Sequence, residues 1–432
     1  MQPFNYLTSL LSLAVFLSIV QSRAIRNETT WDSHSHDLQA RAWVTEPGAE
    51  KHLCLLSSPL DYSNPNSGKY EYDNEAQGQG VSIVVIDTGF EYEALPQHFG
   101  TEPGNPRPLG TWSVPAEIRN PPMPDDQKAK GWRYTPDDMK DYAHPDPDTG
   151  KPAGHGTGMA ILAAGLQNGV ARKAGLYLIK AGYAIWDKKN KIVEDGFTTD
   201  AALTALMYVR DCLADGTLKP GKTVVLYTLS GNIDAITKTK GLPYYNWYHK
   251  QMKAVLQDLD SKGAVLVFSA GNGGIEDPFE PTTDYIPQTM AYADTPYVLV
   301  GSVNANGQLA RHTSPGTTDV PLTVYAQGLN VRVWDVGMGD YAIDGGTSPA
   351  AAIAAGQVAN FMNHPLFPTQ FQYDPSDPPE NSVGQRMKKW LRGPLAYQRV
   401  ADGNKLDEPA QNYKYTVPEN IPTIYNFIHG PQ

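Results

Sequence analysis

Cysteine is nearly absent: Cys54 and Cys212 are the only two in 432 residues. They can form at most one disulfide, which excludes a disulfide-built scaffold, and two thiolates alone cannot make a structural zinc site. Positive charge is the scarcer sign, with 35 Lys and Arg against 46 Asp and Glu, a formal charge of −11. No long basic run offsets this. Phosphate contacts need clustered cations, so no nucleic-acid partner is expected. Apolar runs of membrane-spanning length are also missing. The stretch from Leu7 to Val20 has 14 residues, too short to cross a bilayer comfortably but right for the core of a signal peptide. Ser22 and Ala24 follow as small residues near a cleavage point. A leader over residues 1–24 and a secreted, extracellular protein with no membrane partner are therefore expected. Three nucleotide or nucleophile signatures are absent as well: a G-x-G-x-x-G after the first strand, a P-loop, and G-x-S-x-G.

What the chain does contain is core material. Hydrophobic residues make up 41% and aromatics 10%, enough to exclude a wholly disordered chain. Residues 81–86 read VSIVVI, a nearly continuous apolar run that predicts a buried parallel strand, ending at Asp87-Thr88-Gly89. Prolines crowd residues 101–152, among them Pro103, Pro106, Pro108, Pro115, Pro121 and Pro122. That density predicts a surface insertion with little regular structure. Regular order resumes at Gly154. Helices are expected at 155–166, 199–213 (capped by Thr198 or Thr199), 245–262 (closed by Gly263), 348–362 and 383–391. Strands are expected at 176–180, 223–229, 264–269, 297–303 and 322–325. Residues 43–56 carry a weak helical signal. Strands alternating with helices imply an α/β fold, a three-layer αβα arrangement around a mostly parallel central sheet.

Four residues at strand–helix boundaries carry candidate chemistry. Asp87 ends a buried strand, where a carboxylate needs hydrogen-bond partners. His155 lies between Gly154 and Gly156 at the start of a helix of small residues, and flanking glycines let other groups approach the imidazole. Asn272 follows the strand AVLVF in the loop SAGNGG, where a side-chain amide can face a developing negative oxygen. Ser348 follows Gly345-Gly346-Thr347 and opens a helix, beside backbone N–H groups and the positive end of the helix dipole. A serine hydroxyl is a weak nucleophile near neutral pH. It needs a base, and the base needs an orienting carboxylate; Ser348, His155 and Asp87 are one candidate for each part. Each alone also reads as an ordinary cap, turn or core residue.

Together, in the order Asp, His, Asn, Ser, the chain resembles the subtilisin-like serine proteases, the subtilase family. The motifs that carry the resemblance are VVIDTG ending at Gly89, GHGTGMA from Gly154, SAGNGG from Ser269 and GGTSPAAA from Gly345. GVARKAGLYLIKA, after the histidine helix, is similar to the family too. The resemblance spans roughly residues 78–362, with the insertion outside it. It implies a subtilisin-like fold and a secreted serine endopeptidase working through an acyl-enzyme. Asp87 would orient His155, His155 would act as base and then acid, and Ser348 would attack. Asn272 and the Ser348 N–H would hold the oxyanion. Substrate would lie as an extended strand along Leu229, Ser230 and Gly231, with a first pocket walled by Ser269, Ala270 and Gly271. The partners implied are polypeptide substrates and the chain a monomer. No cofactor is required and no catalytic metal is implied; a structural calcium ion is compatible with the family but not supported by the sequence, whose short Gln167-Asn168-Gly169 loop leaves no room for the calcium-binding loop of some members. A histidine base implies a rate that rises with pH near 6 to 7.

The expected organisation is a leader at 1–24, a short propeptide or N-terminal extension at 25–60, a peptidase domain at 61–363, and a C-terminal extension at 364–432. Three positions depart from the family pattern: Pro349 where Met is usual, Ala352 where Pro is usual, and Gly158 where a second His is frequent. They motivate an alternative, a non-catalytic binding protein on the same fold.

Overall fold

The structure is a computed structural model of the chain. It describes residues 43–58, 68–101, 107–142, 153–393, 396–398 and 405–426. The expected leader at 1–24 lies outside these residues, as does the end of the insertion at 143–152.

The chain begins with strand β1 (Trp43–Pro47), helix α1 (Lys51–Ser57) and strand β2 (Lys69–Asp73). β1 and β2 pair antiparallel, while α1 buries Leu53 and Leu56 in the main core. The weak helical signal at 43–56 is thus a strand followed by a helix. β3 (Ser82–Asp87) alternates Ile83 and Val85 toward one layer with Val84 and Ile86 toward the other. Both faces are covered, which is why the run reads as continuously apolar. The insertion is more regular than its prolines suggest, because β4 (Leu109–Ser113) joins the central sheet beside the next strand. Pro108 and Pro115 fall just outside β4 and remove none of its hydrogen bonds. β4 is also an edge strand, where neighbouring prolines are tolerated.

Helix α2 (His155–Ala164) precedes β5 (Gly175–Lys180), a hairpin of β6 (Gly182–Trp186) and β7 (Ile192–Phe197), and helix α3 (Thr199–Asp215). Thr198 caps α3 by accepting from Ala201 N at 3.0 Å. Next come β8 (Thr223–Tyr227), α4 (Leu242–Ser261), β9 (Ala264–Ser269), β10 (Val298–Val303) and β11 (Val324–Gln327). A second hairpin, β12 (Leu329–Asp335) and β13 (Asp340–Gly345), leads into α5 (Thr347–Met362), then α6 (Val383–Leu391), β14 (Ala396–Gln398) and β15 (Pro422–Ile424). The sequence signals did not single out either hairpin or the two tail strands.

The central sheet has nine strands in the order β14-β15-β11-β10-β9-β8-β3-β5-β4, and only β14 runs antiparallel to its neighbour. α2 and α5 share one core cluster with one face of this sheet, and α3 and α4 share a second cluster with the other face. These are the three layers expected. α2 and α5 press together closely. A Cβ on Gly356 would lie 2.5 Å from the Ala163 carbonyl and 2.7 Å from Val170 Cβ. Both cysteines are buried and free.

Strand order reverses beside β3. From β3 the chain crosses to the edge strand β4, comes back inward to β5 beside β3, then passes to β8 on the other side and builds away through β9, β10 and β11. Crevices at such a reversal, beyond the carboxyl ends of the strands, are where open α/β sheets bind ligands.

Candidate active site

Asp87 is the last residue of β3 and has no exposed surface. Its Oδ1 accepts from Thr88 N at 2.7 Å and faces His155 Nδ1 at 2.7 Å, and its Oδ2 accepts from Thr228 Oγ1 at 2.6 Å. Burial would raise its pKa. The imidazole and the two other donors outweigh burial and hold the carboxyl below its ordinary value.

His155 is the first residue of α2, and its flanking glycines are required by space. A Cβ on Gly154 would lie 2.2 Å from Val336 Cγ2, and one on Gly156 would lie 2.5 Å from the Gly89 carbonyl. With Nδ1 committed to Asp87, Nε2 is the nitrogen left for chemistry in the cleft. Burial would lower the imidazole pKa. The charge and hydrogen bond of Asp87, with Asp344 and Asp141 adding, push it up instead, to about 9.

Ser348 sits in the first turn of α5. It lines a cleft of 430 Å³ together with His155, Asn272, Leu229 and Ser230. Ser348 Oγ forms no hydrogen bond among the described residues. A serine–histidine bond often tightens only in the substrate complex. Pro349 follows at a helix position whose N–H has no intrahelical acceptor, so it does not disturb the turn.

Asn272 is oriented by the residue before the serine. Its Oδ1 accepts from Thr347 N at 2.9 Å and Thr347 Oγ1 at 3.1 Å, while Thr347 Oγ1 accepts from Gly271 N at 3.0 Å. The amide oxygen is thereby occupied, and the Nδ2 hydrogens are the donors left over. Ser269 and Ala270 are buried behind the cleft, and Gly271 takes a left-handed φ of 98°. Gln288 Nε2 ties this segment to the other wall by donating to Ser230 Oγ at 2.6 Å and to the Ser269 carbonyl at 3.0 Å. Gly231 pairs with Ile286 and borders a second cavity of 990 Å³ that opens beside Ser230.

A model described as the Subtilase family matches residues 78–375. The chain is a subtilase. As a member of that family it is a serine endopeptidase acting on polypeptides. It is similar in fold to the structure titled "Crystal structure of a cold adapted subtilisin-like serine proteinase", with a TM-score of 0.50 and 18% identity. That match covers 86% of this chain and 100% of the other. No curated protein matches the chain.

Several groups around this subtilase's cleft carry no local sequence signal. The Pro-rich insertion supplies Asp141, whose Oδ1 accepts from Thr88 Oγ1 at 2.8 Å. Its Oδ2 accepts from Thr157 N at 2.8 Å and Thr157 Oγ1 at 2.9 Å. Burial, reinforced by the nearby Asp87 charge, raises the Asp141 carboxyl to about 6 against the lowering effect of these donors. Lys180, at the end of β5, fastens the same loop. Its buried Nζ donates to the Asp138 carbonyl at 2.9 Å and the Lys140 carbonyl at 2.7 Å. Burial lowers its pKa to about 8. Two further carboxylates, Asp195 on β7 and Asp344 on β13, line the cleft itself.

Proposed function

We propose that this subtilase cleaves peptide bonds with Asp87, His155 and Ser348 as its catalytic triad and Asn272 in the oxyanion hole. The observation that carries this reading is the 2.7 Å Asp87–His155 contact at the edge of a cleft that Ser348 and Asn272 also line. Substrate lies extended along Leu229, Ser230 and Gly231, with its first side chain directed toward the Ser269–Ala270–Gly271 wall. Ser348 Oγ attacks the carbonyl carbon as His155 Nε2 takes the hydroxyl proton. The tetrahedral oxyanion is held by Asn272 Nδ2 and the Ser348 N–H. His155 then gives its proton to the leaving amine, and the C–N bond breaks to leave an acyl-enzyme. Water, deprotonated by His155, attacks the ester, releases the carboxylic acid and restores Ser348. Asp87 stays ionised throughout and stabilises the imidazolium.

No step needs a cofactor, and a monomer suffices. A leader at 1–24 directs secretion. The core position of Leu53 and Leu56 favours an extension retained in the folded domain over a removable propeptide for residues 43–58. Fluorophosphonate labelling tests the centre. Wild type should be labelled at Ser348 and Ser348→Ala should not. An unlabelled, folded wild type that still binds peptides would turn the reading to a non-catalytic binder.

A further inference from the structure

The walls of the cleft carry two carboxylates, Asp195 and Asp344, and no Lys or Arg among the described residues. They come from different hairpins, Asp195 from β7 and Asp344 from β13. Their settings differ. Asp195 is exposed, whereas Asp344 is only 9% exposed and lies four residues before Ser348. Asp344 accepts one hydrogen bond from Gly345 N at 2.7 Å and has no cation partner among the described residues. Its charge nevertheless reaches the His155 ring. Its second oxygen is not among the buried atoms left without a partner, so it opens on the cleft and can accept a further donor. With His155 neutral, as the reaction requires, the cleft is lined by negative charge alone and draws in ligands of the other sign.

We propose that the cleft selects peptides with Lys or Arg beside the scissile bond, with Asp344 as the main determinant and Asp195 as a weaker one. This rests on the triad reading above, since it places the scissile bond between His155 and Ser348. A substrate cation near Asp344 forms a charge-assisted hydrogen bond in a poorly solvated spot, worth roughly tenfold in preference. Near Asp195 the same charge is screened by water and contributes roughly two- to threefold.

The test compares kcat/KM for matched peptides with Lys, Gln or Glu at each position flanking the cleaved bond. Wild type, Asp344→Asn and Asp195→Asn are measured at low and high salt. Ratios between peptides on one enzyme cancel any change in nucleophile efficiency, including the effect of Asp344 on His155. Wild type should prefer Lys over Glu by at least about tenfold at one position, and high salt should narrow the gap. Asp344→Asn should remove most of the preference and Asp195→Asn a smaller part. Should Asp344→Asn fail to fold, a reduced ratio in Asp195→Asn supports the proposal and an unchanged one overturns it. A wild type that cleaves all three peptides alike sinks the specificity but leaves the triad standing. A folded wild type that cleaves none of them sinks both.

Discussion

Asp141 holds Thr157 twice, accepting from its backbone N–H at 2.8 Å and from its hydroxyl at 2.9 Å. Thr157 lies in the first turn of α2, the helix that begins with His155. That helix has Gly154 at its N-cap and so no capping side chain of its own. A carboxylate from the insertion, 16 residues before Thr157, takes over the capping of one of its free N–H groups.

Replacing Asp141 by Ala removes this cap and should destabilise the fold by about 1–2 kcal/mol. It should also lower kcat more than KM, because the helix start that carries the imidazole loosens. Asp141→Asn tests the electrostatics. The folded carboxyl titrates at about 6, above its ordinary value, so the folded state binds this proton more tightly than the unfolded chain does. Its contribution is fully present below the unfolded pKa and is lost as pH rises through about 6. Asn has no such loss, so its Tm relative to wild type should climb between pH 4 and 7. A constant Tm difference over that range would contradict the assignment.

The elevated imidazole pKa sets the pH dependence. His155 must be neutral to accept the serine proton, so kcat/KM should rise with pH through a limb well above the ordinary histidine value, toward 9. Removing one of the charges that raises it, in Asp344→Asn, should move that limb down. Asp87→Asn should lower kcat by roughly 10⁴. A wild-type limb that stays at 6 to 7 and does not respond to Asp344→Asn would show that the surrounding carboxylates do not control the base.

Thr347 fixes the amide that faces the cleft. Asn272→Ala should lower kcat by about 10²–10³ with little change in KM, since the donor acts on the oxyanion rather than on the bound substrate. Thr347→Val keeps the donor but removes the hydroxyl that anchors Asn272 Oδ1 and receives Gly271 N. Its kcat should fall too, by less, and Thr347→Ser should restore it. Equal kcat for Thr347→Val and wild type would mean the amide needs no anchor.

Each of the four motif residues sits where a strand or loop meets a helix, and that local pattern of apolar run, glycine and polar residue is visible in one dimension. The contact of Asp87 with His155 does not follow from it, since the two lie 68 residues apart and only the fold brings them together. Asp141, Thr228 and Asp344 have no such signature. Asp141 reaches the site because the insertion folds back onto it, whereas Thr228 directly precedes Leu229 and Asp344 lies four residues before Ser348, and nothing local marks the side chains as turned toward the site. The insertion departs from the irregular chain that its proline count predicts for a specific reason. The prolines around β4 stand at its borders, and Gly110 is free to lie under the Tyr177 ring, where a Cβ would be 2.4 Å from it. The β12–β13 hairpin was legible in principle. Val331, Val333 and Asp335 face inward with period two, but an inward Asp335 and an apolar Trp334 on the opposite face blur the alternation.

The seam between α2 and α5 has a mechanical consequence. One helix carries His155 and the other Ser348, and at Gly356 they touch with no side chain between them. The separation of these two residues is therefore set in part by backbone against backbone. Any added bulk at that seam would act as a spacer, prying the imidazole and hydroxyl apart while both side chains remained in place.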